Sequence, residues 1–262
     1  MMAETMSSVR LVVEPQLEAR HCTALTDFGA YGVARVLLAD GGASWQVGER
    51  LVAACVDAQA HGEWQVDAAH CLRLPAALDD HAALALPPLM AALACWAQLR
   101  LELGDVAAVC GATPLAALLR LTAHWQGAMP VIALAAGEQT LEYGVPVAID
   151  DARQAVARLQ QLQGDTPGFA AVDVSGRAWC ADILFQALPR WGRMRLAGST
   201  LEPLTVDFYK DVHVKGARVL TAPMSLAALL DDSAALPALH TRAVRLLEGA
   251  ATGAAVKALF GL

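Results

Sequence analysis

Two hydrophobic rhythms divide the chain. Between Val9 and about Leu86, short β-type runs alternate with turns. They are VRLVV at 9–13, VARVLLA at 33–39 and RLVAACV at 50–56, with Asp40, Gly41 and Gly42 supplying turn chemistry. From Pro87 the rhythm changes to Ala/Leu helical stretches separated by brief apolar runs, the pattern of a parallel sheet flanked by helices. Strands are expected at 106–110, 131–134, 147–149, 170–174, 194–197 and 217–221. Helices are expected at 114–126, 152–163, 181–188, 225–232 and 236–247, and the Pro114 that opens the first of these holds a permitted first-turn position. Strands joined by right-handed helical crossovers make a doubly wound α/β sheet.

Composition narrows the class. Of 262 residues, 56% are hydrophobic and 17% charged, which excludes a disordered or collagen-like chain and allows a sizeable core. The longest uncharged stretch, 82–99, is broken by Pro87 and Pro88, so no membrane span is expected. The start MMAETMSSVR lacks the pattern of a secretory signal, and the cytoplasm is the expected compartment. A net charge of -7 argues against a nucleic-acid partner. The six cysteines (Cys22, Cys55, Cys71, Cys95, Cys110, Cys180) stand singly, without CxxC spacing, and read as buried free thiols.

The chemistry concentrates after the strand at 106–110. A glycine at the end of a first strand and the start of a helix lets backbone N–H groups approach a pyrophosphate, with the helix field assisting. Gly111-Ala-Thr-Pro-Leu-Ala116 stands in that place, with Thr113 and Ala116 where the second and third glycines of GxGxxG would be. Further words follow in order: Val131-Ile-Ala-Leu134, Tyr143-Gly-Val-Pro-Val-Ala-Ile-Asp150, Val172-Asp-Val-Ser-Gly176, Trp191-Gly-Arg-Met-Arg-Leu-Ala-Gly198 and Val206-Asp-Phe-Tyr-Lys-Asp-Val-His-Val-Lys-Gly216. Upstream lie Gln46-Val-Gly-Glu-Arg-Leu-Val52 and Gly62-Glu-Trp-Gln-Val-Asp-Ala68. From about residue 40 to residue 224 the chain resembles the medium-chain dehydrogenase/reductase family, in particular its zinc alcohol dehydrogenase branch.

The resemblance implies three regions: a reduced GroES-like β-rich domain at 1–86, a Rossmann nucleotide-binding domain at 87–224, and a C-terminal helical segment, 225–262, packing on the N-terminal part. It implies NAD or NADP as cofactor, with Gly111, Ala112, Thr113, Pro114 and Leu115 at the pyrophosphate, Ser175 and Gly176 lining the cleft, and Ala197, Gly198 and Ser199 near the nicotinamide half. It also implies a homodimer through the last Rossmann strand, from Ala217 to Thr221, and a small-molecule substrate.

Departures from the family pattern shape the functional expectation. The Cys-x-x-Asp and Gly-His-Glu words that carry the catalytic zinc are absent, as is the cysteine-rich lobe, and His21 with Cys22 cannot replace them; no metal is expected. No carboxylate closes the second Rossmann strand, where Leu134 is followed by Ala135, Ala136 and Gly137 before Glu138. Ala94 stands where many members carry a threonine beside the nicotinamide. The expected function is a zinc-independent oxidoreductase acting on a small carbonyl, alcohol or alkene, with no general acid assigned. The alternative is a catalytically degenerate fold kept as a dimeric binding or partner subunit.

Other conspicuous residues read as structural. His61, His70 and His81 match no metal spacing, with His70 expected on a solvent-facing strand. His213 is expected at the surface or an interface, Tyr31, Trp45 and Trp64 in packing, and Asp173 as a cap on the turn after its strand. The pairs Asp79-Asp80, Asp150-Asp151 and Asp231-Asp232 read as helix caps rather than an acid/base pair.

Overall fold

The computed structural model describes residues 10–18, 31–39, 44–54, 62–136, 142–166, 168–198, 202–221, 224, 226–231 and 236–262. The chain forms two compact units, one of residues 1–90 and 225–262, the other of residues 91–224.

The first unit is built on a five-stranded antiparallel sheet of β1 (Arg10–Glu18), β2 (Tyr31–Ala39), β3 (Arg50–Ala54), β4 (Trp64–Asp67) and β5 (Cys71–Arg73), in the order β4-β1-β2-β3-β5. Period-two alternation sends Leu11, Val13, Ala34, Val36, Leu51, Ala53, Trp64 and Val66 into one core. Gly32 is required there, because a Cβ would lie 2.6 Å from the Trp64 ring. β1 runs through Pro15, where the register with β2 shifts and β4 has already ended, so the missing N–H breaks no ladder on that side. Tyr31 packs at 2% exposure and donates its hydroxyl hydrogen to the Leu84 carbonyl at 2.6 Å. Asp79 caps α1 (Asp80–Leu84) through the Ala82 N–H at 2.7 Å.

His70 departs from expectation. The Asp67 side chain accepts the Ala69 N–H and bends 68–70 into a single 3-10 turn between β4 and β5, so the histidine is not on a strand. C-terminal helices at Leu226–Asp231, Leu236–Glu248 and Ala250–Phe260 belong to this unit, where His240 meets the Arg73 carbonyl at 2.8 Å and Lys257 faces Asp79 at 3.8 Å. No helix among the described residues is long and apolar enough to cross a membrane.

The second unit is a Rossmann sheet of six parallel strands. β6 (Val106–Cys110), β7 (Val131–Ala135), β8 (Val145–Ala148), β9 (Phe169–Asp173), β10 (Arg193–Leu196) and β11 (Arg218–Thr221) lie in the order β8-β7-β6-β9-β10-β11. β6, β7 and β9 are buried along their whole length, which explains why their sequences are continuous apolar runs rather than alternating ones. The helices of this unit are the latter part of α2 (Leu86–Leu99), then α3 (Pro114–Trp125), α4 (Ala152–Gln163) and α5 (Ala178–Ala187). Trp96 of α2 is fully buried and donates its indole N–H to the Leu119 carbonyl at 3.0 Å and to Thr122 Oγ1 at 3.1 Å.

Phe208–His213 forms a wide helical turn started by Asp207, which accepts the Lys210 N–H. His213 is exposed there and stacks on Tyr209 at 5.4 Å. The turn at 40–42 lies outside the described residues.

At the amino-terminal end of the sheet, Asp105 meets Arg193 at 2.6 Å and also accepts the Glu102 N–H, with both charged side chains largely buried. Asp105→Ala takes the carboxylate from the guanidinium and leaves it the Arg100 and Phe169 carbonyls, and urea unfolding is expected to show a loss of about 3 kcal/mol; a loss below about 0.5 kcal/mol is what a surface pair would give.

Candidate nucleotide site

In a sheet of this order the crossovers diverge between β6 and β9, and a crevice opens beyond their carboxyl ends. Gly111 begins the turn there with φ +141°, and a Cβ would sit 2.9 Å from Val174 Cγ2 and 3.4 Å from Ala116 Cβ. The position is therefore reserved for glycine by conformation and by space. Thr113 has φ -84° and ψ 162°, ordinary extended values, so a side chain is tolerated where the family pattern has glycine. Its hydroxyl oxygen accepts the Ala116 N–H at 3.3 Å and caps α3. Pro114 contributes no N–H, which leaves those of Thr113 and Leu115, together with Ala112 just before the cap, as the first-turn donors.

The end of β9 forms the other wall. Asp173 is fully buried and caps the turn after its strand: Oδ1 accepts the Ser175 N–H at 2.9 Å and the Ser175 hydroxyl at 2.6 Å. The Asp173 carbonyl accepts the N–H groups of Ala197 at 2.8 Å and Gly198 at 3.0 Å, which ties in the end of β10. Gly198 is pressed against Gly176, where a Cβ would lie 2.5 Å from the backbone nitrogen. Gly111, Ala112, Thr113, Pro114, Leu115, Ser175, Gly176, Ala197 and Gly198 thus meet at one end of the sheet. Ser199 lies outside the described residues, as do 137–141, where the second strand's missing carboxylate was noted.

Two features gave no clear signal in the sequence. Arg120 sits on the buried face of α3 at 2% exposure, donating from Nη1 to the Gly111 carbonyl at 3.2 Å and from Nε to the Glu142 carbonyl at 2.9 Å. Burial lowers its pKa to about 10, against the opposing charge of Glu142, so it is still a cation at neutral pH and braces the glycine turn from beneath. A charge inside the apolar stripe PLAALLRLTAHW was the available hint. The second feature is the buried carboxyl of Asp173 itself, which pairs in register with Cys110 across β6 and β9 and holds Ser175. The other Asp173 oxygen, Oδ2, is buried without a hydrogen-bond partner.

No family model matches the sequence, and no curated protein matches it. Solved structures do match. A mycobacterial protein solved with NADPH superposes with TM-score 0.72 at 16% identity, covering 98% of this chain and 90% of that one. Galactitol-1-phosphate dehydrogenase from Escherichia coli gives TM-score 0.70 at 12% identity over 94% and 83% of the two chains. An NADPH:quinone reductase assignment from Bacillus thuringiensis gives 0.70 at 17% identity over 94% and 81%. The chain has the fold of the medium-chain dehydrogenases and reductases: a Rossmann sheet with a GroES-like antiparallel unit.

Burial holds the Asp173 carboxyl above the ordinary carboxylate range, opposed by hydrogen bonds from Ser175 and Gly176. Because the folded pKa is raised, the stability this group contributes is complete below its unfolded pKa of about 4 and is lost as pH rises through the folded value. Asp173→Asn removes that loss. The melting temperature of the variant relative to wild type is therefore expected to climb between pH 4 and pH 8, whereas an ordinary solvated carboxylate gives a flat difference.

Proposed function

We propose that the chain is an oxidoreductase of the medium-chain type that binds NAD or NADP at the carboxyl edge of its parallel sheet and works without zinc on a small carbonyl, alcohol or alkene. The observation that carries the reading is Gly111, held at φ +141° against Val174 at the point where the crossovers diverge. Its conformation leaves the edge of the turn without a side chain, so backbone donors face a phosphate without obstruction. The residues fit a dinucleotide in this respect: Ala112, Thr113 and Leu115 would offer N–H groups to the pyrophosphate, and Ser175, Gly176, Ala197 and Gly198 would line the remaining wall. Bound nicotinamide supplies hydride chemistry; the chain supplies placement and a dry, polar floor. Arg120 donates to the Gly111 carbonyl and fixes that peptide, and the Asp173 to Ser175 bonds fix the opposite lip.

A second reading, a binding or partner subunit without catalysis, draws support from α3 itself. Pro114 lacks an N–H and Thr113 occupies that of Ala116, so two first-turn donors are not offered to a ligand. For either reading we propose a homodimer through β11, which among the described residues pairs only with β10. The nearby Trp191, Phe208 and Tyr209, 70–75% exposed, are the kind of apolar surface that such an association covers.

Thermal denaturation with NAD+, NADH, NADP+ and NADPH separates the readings. One nucleotide at a hundredfold excess over its Kd should stabilise the protein by about 2.7 kcal/mol, and Gly111→Val should abolish the shift; silence with all four nucleotides favours the partner subunit. Metal analysis showing one zinc per chain contradicts the zinc-free assignment. Light scattering should give twice the 27.5 kDa chain mass, and a single-chain mass contradicts the dimer.

A further inference from the structure

Gly111 is secured on both sides. Its N–H donates to the Leu134 carbonyl of β7 at 2.9 Å, and its carbonyl accepts from Arg120 Nη1 at 3.2 Å. The guanidinium comes from the second turn of α3, is buried, and also donates from Nε to the Glu142 carbonyl at 2.9 Å. Its neighbours on that helix face, Ala116 and Ala123, are apolar and fully buried. Both hydrogen-bond acceptors are neutral, so the positive charge stays beside the turn. Burial, against the opposing charge of Glu142, lowers its pKa only to about 10, and Arg120 is a cation at neutral pH.

The carbonyl that Arg120 holds belongs to the same planar trans peptide as the Ala112 N–H, and in such a unit the two bonds point in opposite directions. With the carbonyl turned inward to a buried cation, the Ala112 N–H is turned outward, and Ala112 is exposed. Among the described residues nothing accepts a hydrogen bond from it. We propose that Arg120 is the positioning residue of the phosphate site: it aims the Ala112 N–H at the crevice and, through its charged hydrogen bond to the carbonyl of the same peptide, makes that N–H a stronger donor to a phosphate oxygen.

The inference rests on the reading of the glycine turn as the seat of a nucleotide pyrophosphate, and it names the side chain that sets the affinity there. Pro114 brings no N–H and Thr113 Oγ1 engages that of Ala116, so the first turn of α3 offers an anion few donors. Polarising one of the remaining donors from behind offsets that loss. The cation itself is too deeply buried to meet the phosphate, and it acts through the peptide between them.

Protein labelled at the glycine carbonyl carbon and the alanine nitrogen shows its Gly–Ala peptides alone by NMR, and Ala112→Ser identifies the signal of residue 112. Inorganic pyrophosphate, NADH and NADPH are titrated separately at neutral pH. In the wild-type chain the Ala112 amide is expected to move with pyrophosphate and with at least one dinucleotide. In ligand-free Arg120→Met the same amide should lie upfield of its wild-type position. The Kd of that variant, measured well below its melting temperature, should be about tenfold higher, the scale of one charge-assisted hydrogen bond. Arg120→Lys, which keeps a cation, should fall between the two. An Ala112 amide unmoved by all three ligands in the wild type overturns the proposal without reliance on any Arg120 variant. A folded Arg120→Met protein with the wild-type Kd, whatever its loss of melting temperature, overturns it by reducing Arg120 to a structural tie, and Arg120→Lys binding no more tightly than Arg120→Met overturns the part given to the charge. Movement with pyrophosphate but with neither dinucleotide upholds the role of Arg120 and contradicts the oxidoreductase reading; a dinucleotide that binds while the Ala112 amide stays in place does the reverse.

Discussion

The whole second unit depends on one constraint, the burial of β6 between two parallel neighbours. With β7 on one side and β9 on the other, every side chain of Val106–Cys110 is enclosed. The chain must leave that strand at its carboxyl end and return by helices. Because the next two strands are laid on one side and the later three on the other, the exits at Cys110 and Asp173 are left uncovered by a direct crossover. The chemically distinctive groups lie at those two exits: the glycine turn, the buried carboxyl and the arginine brace.

The polar groups at this edge are costly, and their arrangement shows how the cost is met. Arg120 places a cation beside two backbone carbonyls, which accept its protons without neutralising it. Asp173 spends one oxygen on Ser175 and leaves the other without a partner, and burial then favours its protonated form. Such a site is stabilised by the apolar sheet around it rather than by its own interactions, as is common where a fold keeps a local arrangement for function.

Much of this unit was legible in the sequence because buried parallel strands are written as short unbroken apolar runs. VAAVC and VIALA could hardly be anything else between helical stretches, and the ordered words around Gly111, Gly176 and Gly198 fixed their sequence in the sheet. Strand ends were less legible: β8 begins at Val145 rather than 147, and α5 begins at Ala178 rather than 181, since weak propensities decide these boundaries. His70 was misplaced because one Asp67 side-chain bond bends the chain. Thr113 stands where the GxGxxG pattern has its second glycine, yet its backbone is extended and its oxygen caps a helix. The pairing of Cys110 with Asp173 had no local trace at all, because it is created by β6 and β9 becoming neighbours from separate stretches of the chain.

Hydrogen exchange in the presence and absence of NADPH tests the central claim, that the exits of β6 and β9 form a nucleotide mouth, at the level of single segments. The account predicts slower exchange confined to the peptides containing 111–116, 174–177 and 197–198, with the strands themselves unchanged. Unaltered exchange in those segments at saturating nucleotide, or protection confined to the antiparallel unit, would contradict it.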